Sequence, residues 1–230
     1  MLRPVNRYAV GVQRMTLGLM QNPVRGLLHG TAALASVGGL VVLIVSTINN
    51  RSRMVSMIVF GVSLVALYTT SALYHSIPWG ERWKARMQRV DHSMIFLLVA
   101  GSFTPFAVNL LDGGWRIATL VVVWSAFLIG TVERIVFHRV RVWLPVALAT
   151  TMGCFAVVPL PVMSERLAPI GVGFLLAGGI AYLIGMIAFA TKRPRLFPRI
   201  FSYHEVFHVL VVAGSLFHFV VVLKYIVPLT

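Results

Sequence analysis

Carboxylates are almost absent from this chain of 230 residues: six Asp and Glu stand against twenty Lys and Arg. Cysteine is rarer still. The lone Cys154 excludes an internal disulfide and a Cys-rich cluster, so any metal here must be held by imidazole or carboxylate. Charged residues of either sign make up 11% of the chain, less than half of the roughly 25% usual in a soluble domain. What fills the chain instead is apolar: 58% hydrophobic residues, with a mean hydropathy of +0.87. Folded in water, such a chain would expose apolar patches larger than monomers normally tolerate. The composition therefore indicates one integral membrane domain, which the apolar runs below make all-α.

The formal charge of +14 would suit nucleic acid if the basic residues formed one stripe or arm, but they are scattered over short loops between apolar runs. Nucleic acid is accordingly not an expected partner, and membrane lipids are. Arg3, Arg7 and Arg14 interrupt any apolar stretch that could act as a cleaved signal, and the first membrane helix is expected near Leu27. Residues 1–26 then form an N-terminal segment and 27–230 the transmembrane domain.

A helix needs about 20 apolar residues to cross the ~30 Å hydrocarbon core. Seven runs qualify: 27–48, 54–75, 91–111, 116–133, 142–162, 167–190 and 204–226. The fourth is short. The fifth carries Pro145, Pro159 and Pro161, which should kink it or break its ends, so six spans is the rival count. Lys and Arg near helix ends are retained on the cytoplasmic side. Counted on that rule, fifteen basic residues fall in the N-terminal segment and the loops after the second, fourth and sixth runs, against five on the other side. The predicted topology is a seven-helix bundle with a cytoplasmic N-terminus and an extracytoplasmic C-terminus. Gly171, Gly173, Gly178, Gly179 and Gly185 in the sixth run suit close packing against a neighbouring helix.

Ionisable side chains within a bilayer are costly and usually face the bundle interior. His75 closes the second run, Asp91 and His92 open the third, His204, Glu205 and His208 open the seventh, and His29 opens the first. Because alternate helices run in opposite directions, the topology alone brings all of these to one cytoplasmic depth. His204 and His208, four apart, stack on one helix face. His75 would complete a three-nitrogen set with an open fourth position, the arrangement of catalytic zinc. Asp91 has the right charge to act as base towards a water there, and Ser71, one turn before His75, can supply a supporting hydroxyl. The plainer alternative is that these histidines meet water or lipid phosphate at the interface and bind no metal.

The segment His204-Glu205-Val206-Phe207-His208 also spells the H-E-x-x-H metalloprotease signature. No Asp or Glu follows Glu205, and His218 does not fall at the position required by the extended motif, so the match is read as incidental, with Glu205 at the cytoplasmic interface. His92 lies about 100° around the helix from Asp91. His29 could support the pocket rim or meet headgroups. His218 is ten residues, some 15 Å, beyond His208 and reads as a buried hydrogen-bonding residue. His138 and Cys154 carry no functional signal.

Taken in order, LLHGTAALASVGGL, TTSALYHSIPW, RVDHSMIFLLVAGSFTPF, GGIAYLIG, KRPRLFP and SYHEVFHVLVVAGSLFHF resemble the hemolysin III family. That family is the bacterial branch of the progestin and adipoQ receptor group and is related more distantly to alkaline ceramidases. The resemblance covers most of the chain. It implies a seven-helix protein of the bacterial inner membrane, with zinc bound by His75 of the S-x-x-x-H motif and by His204 and His208 of the H-x-x-x-H motif. Ser71 and Asp91 match the polar residues around the metal-bound water. The leading expectation is a zinc-dependent hydrolase of a lipid-like amide or ester. The alternatives are a lipid sensor or membrane regulator with structural zinc, and a pore-forming cytolysin. The uniformly apolar helices and sparse acidic residues argue against a wide aqueous pore.

Overall fold

The computed structural model describes residues 20–136, 143–197 and 200–229; Arg3, Arg7, Arg14, His138, Arg139, Arg141 and Arg199 lie outside them. All regular elements among the described residues are helical: α1 (Pro23–Thr47), α2 (Arg51–Ser76), α3 (Glu81–Leu110), α4 (Gly113–Val136), α5 (Trp143–Cys154), α6 (Leu160–Ser164), α7 (Pro169–Thr191) and α8 (Tyr203–Val221). Six are long and apolar enough to cross a membrane, the last counted to Ile226. Pro23 and Pro169 open α1 and α7, where a missing N–H costs nothing. The Asn50 side chain caps α2 by accepting from the Arg53 N–H at 3.0 Å.

Two runs are not single helices of the length read from the sequence. The fifth is broken, as its prolines led us to expect: α5 passes into a 3-10 turn (Phe155–Val157), and α6 starts after Pro159, which has no N–H to continue the ladder. The third begins ten residues earlier than its apolar run, at Glu81. Glu, Lys, Arg, Met and Gln are good helix formers, so the helix extends beyond its lipid-spanning part. At 30 residues, about 45 Å at ~1.5 Å per residue, it exceeds the hydrocarbon core. It is also the central helix, with Ala100–Ala107 buried on every face. On α1 and α4, by contrast, Leu34, Val45, Leu128 and Ile129 point outward, as lipid-facing residues should.

The glycines of α7 divide. A Cβ on Gly178 would stand 2.4 Å from the His218 ring and 3.1 Å from the Gly214 carbonyl, so α7 and α8 approach backbone to backbone here. Gly173 and Gly179 meet no neighbour within 4 Å, which corrects the packing role expected of all five. Gly179 lines a cavity instead.

Backbone and polar contacts define two ends. At one, the Asn22 N–H donates to the His75 carbonyl at 2.8 Å and Gln21 to Ser76 at 3.1 Å, tying the entry of α1 to the exit of α2. At the other, Arg53 donates to Asn109 Oδ1 and to the carbonyls of Val227 and Leu229, and Asp112 accepts from Arg116 and Arg166. The hydrogen bond from Arg166 is the main reason the exposed Asp112 carboxyl is held below the usual carboxylate range.

Candidate metal centre

Local sequence sets where α8 starts, and that start aims its histidines. Ser202 caps the helix: its side chain accepts from the backbone N–H of Glu205, while its own N–H donates to Glu205 Oε2 at 2.8 Å. The other carboxylate oxygen of Glu205 accepts from Arg25 Nε of α1 at 2.7 Å. Glu205 is therefore not at the interface as the sequence reading expected. It is 6% exposed, with both oxygens committed to the cap and the ion pair, which removes it as a protease-type base. Replacing it with Gln should weaken α8 docking by about 1.5–3 kcal/mol, the value of a hydrogen bond to a charged group, while leaving metal content unchanged. Thermal unfolding in detergent paired with metal analysis checks both halves.

With its start set, α8 turns His204 and His208 towards His75 at the end of α2. One candidate ligand nitrogen from each lies within 4.8 Å of the other two. Ring centroids are 5.3 Å apart for His75 and His204, and 4.9 Å for each other pair. His75 and His208 are buried at 2% exposure, and neither nitrogen of His75 nor Nδ1 of His208 has a hydrogen-bond partner among the described residues. Buried polar groups are rarely left unpaired, and those that are call for an explanation. A shared ion provides one: ligands at about 2.0–2.1 Å from zinc sit within about 4 Å of each other, close to the spacing of this triad. The three histidines can hold a metal ion.

Around the triad, Ser71 is buried in α2, near the Asp91 carboxyl on α3. Asp91, Ser71, His204 and His208 all line one cavity of about 720 Å³, which continues between α3, α5, α7 and α8 past Phe106, Leu175 and Val211. That volume lies within the ~300–1,000 Å³ range of sites for small organic ligands, and its walls are overwhelmingly apolar.

His218 stands apart, as its spacing implied. It shares a hydrogen bond with the Leu175 carbonyl at 3.2 Å and packs on Tyr182 and Phe106 deeper in the cavity. Nearby, Ser215 links the Tyr68 and Tyr182 hydroxyls at 2.7 and 2.8 Å. His92 lines the cavity without joining the triad.

His29 is the residue whose place the sequence left open. It is 3% exposed, its ring centroid 4.0 Å from that of His208 and 5.0 Å from Tyr68, so it braces a triad ring from the α1 side rather than meeting headgroups. Arg25 and Arg134 were missed as site residues because each sits among the basic residues counted for topology. For Arg25, the only hint was its place one turn before His29.

Known proteins similar to this chain cover most of its length. Residues 18–219 match the family model described as Haemolysin-III related. The chain is 35% identical over 201 residues to the "Hemolysin-3 homolog" of Bacillus subtilis (strain 168), covering 86% of this chain and 91% of the relative. It is 33% identical over 219 residues to "Hemolysin-3" of Bacillus cereus, covering 94% and 96% respectively.

Proposed function

The chain belongs to the hemolysin III family, and from that premise we propose that it is a zinc-dependent hydrolase of a lipid amide or ester, acting within a bacterial inner membrane. The observation that carries this reading is that two imidazoles of a compact, buried triad, His204 and His208, line a large apolar cavity together with Asp91 and Ser71.

When bound at His75, His204 and His208, zinc supplies Lewis-acid polarisation of a carbonyl and a lowered pKa for water. The protein's own groups do the rest. Asp91 accepts the proton of the attacking water and returns it to the leaving amine or alkoxide. Ser71 holds the Asp91 carboxyl in one orientation, and His29 holds the His208 ring. The apolar walls receive the acyl chain and keep bulk water from the polar end, where low polarity strengthens each of these interactions.

The same reading includes seven passes with the N-terminus in the cytoplasm, which places the triad at the inner leaflet. The basic-residue asymmetry supports the orientation. The broken α5–α6 segment supports the count, because it follows the Arg134 end of α4 and finishes next to Arg166, which pairs with Asp112 at the opposite end.

One observation favours a second reading, in which zinc is structural and the protein senses lipid: the triad joins α2 to α8 and would staple them. Incubating the purified, zinc-loaded protein with a panel of ceramide-type amides and bacterial ester lipids tests the choice. Release of fatty acid supports the hydrolase; zinc bound with no turnover across the panel overturns it.

A further inference from the structure

Arg134 ends α4 inside the protein rather than in water. It is 6% exposed, it lines the same cavity as Asp91, His92 and Arg89, and its Nε has no hydrogen-bond partner among the described residues. A buried guanidinium is normally matched by a carboxylate, because an uncompensated charge away from water is costly. The chain has only six carboxylates to offer, all of them among the described residues. Glu205 is taken by Arg25 and Asp112 by Arg116 and Arg166, and no other ion pair occurs among the described residues. Glu133, its chain neighbour, contributes a favourable field without forming one. No carboxylate of the chain, Asp91 on the same cavity included, pairs with Arg134, which leaves its guanidinium open to an anion entering from outside the protein.

The planar fork of a guanidinium suits two oxygens of a carboxylate or phosphate. Beyond Arg134 the cavity walls turn apolar, through Phe96, Val99, Phe103 and Phe106 of α3. We propose that Arg134 is an anion subsite for an acidic amphiphile, whose oxyanion binds the guanidinium while its hydrocarbon chain lies along the apolar cavity. The inference rests on reading the cavity as a lipid site, and it narrows the substrate class to lipids with a carboxylate or phosphate head.

Binding, read without turnover, tests it. Protein purified in neutral detergent is titrated with oleate, oleyl alcohol, phosphatidylglycerol, phosphatidylcholine and inorganic phosphate, with retention measured by native mass spectrometry. Wild type should hold oleate or phosphatidylglycerol at least tenfold more tightly than its uncharged or zwitterionic counterpart. Arg134→Gln should erase that preference, and Arg134→Lys should keep part of it. Preference for oleate assigns the oxyanion to a fatty acid and preference for phosphatidylglycerol to a headgroup. Competition by inorganic phosphate alone assigns it to free phosphate and overturns the lipid part of the proposal. Wild type that ignores charge overturns the subsite even if no variant folds, as does Arg134→Gln that retains the preference. A hydrolase blind to head charge would leave the preceding proposal standing, and charge-selective binding without turnover would leave this one.

Discussion

Replacing His204 and His208 together by alanine is expected to take the purified protein from one zinc per chain to none and to abolish lipid turnover. The expectation follows from geometry: these side chains supply two of the three nitrogens in the buried triad, and His75 alone is a poor site. Losing the ion should also lower stability, because a ligand that binds only the folded state at a thousandfold excess over its Kd contributes about 4 kcal/mol. Wild type treated with chelator should therefore melt like the double variant, and chelator should leave the variant's own melting unchanged. Elemental analysis with a thermal melt in detergent reads both. Zinc retained at wild-type stoichiometry by the variant would remove the triad as the metal centre.

The second large effect separates chemistry from stapling. Asp91→Asn preserves shape and most hydrogen bonding but removes the proton acceptor, so turnover should fall about 10²- to 10⁴-fold, the usual contribution of a positioned general base. Zinc content should not change, since Asp91 is outside the triad. Ser71→Ala, which only orients Asp91, should cost less, on the order of ten- to a hundredfold. Under the structural-zinc reading the pattern reverses: Asp91→Asn is silent, whereas His75→Ala loosens the α2–α8 contact. Measuring kcat, zinc content and melting temperature on the three variants decides between them, and full activity in Asp91→Asn would defeat the catalytic assignment.

Some of this architecture was legible before any coordinates, and the reasons are specific. Apolar run length works because lipid imposes a minimum on every spanning helix, so six of the seven runs appear as long helices. The fifth announced its own break through Pro159 and Pro161. The start of α3 did not show, because run length registers only the lipid-spanning part, whereas the helix continues through Glu81–Val90 on backbone propensity. The glycines of α7 looked alike in sequence, but Gly171, Gly178 and Gly185 are closely approached, Gly178 most tightly and by α8, whereas Gly173 and Gly179 are not.

By itself, then, the sequence determined a family, a helical membrane class and the triad His75, His204 and His208, because spacing within a helix and alternation between helices both follow from chain order. The surroundings of Glu205, His29 and Arg134 were decided only by tertiary structure. Each depends on what a distant helix brings opposite it: Arg25 opposite Glu205, His208 opposite His29, and no carboxylate opposite Arg134. The histidine triad itself changed least between the two views. What the fold added was the apolar cavity behind it, since a cavity is the space left between helices and no single run of residues encodes it.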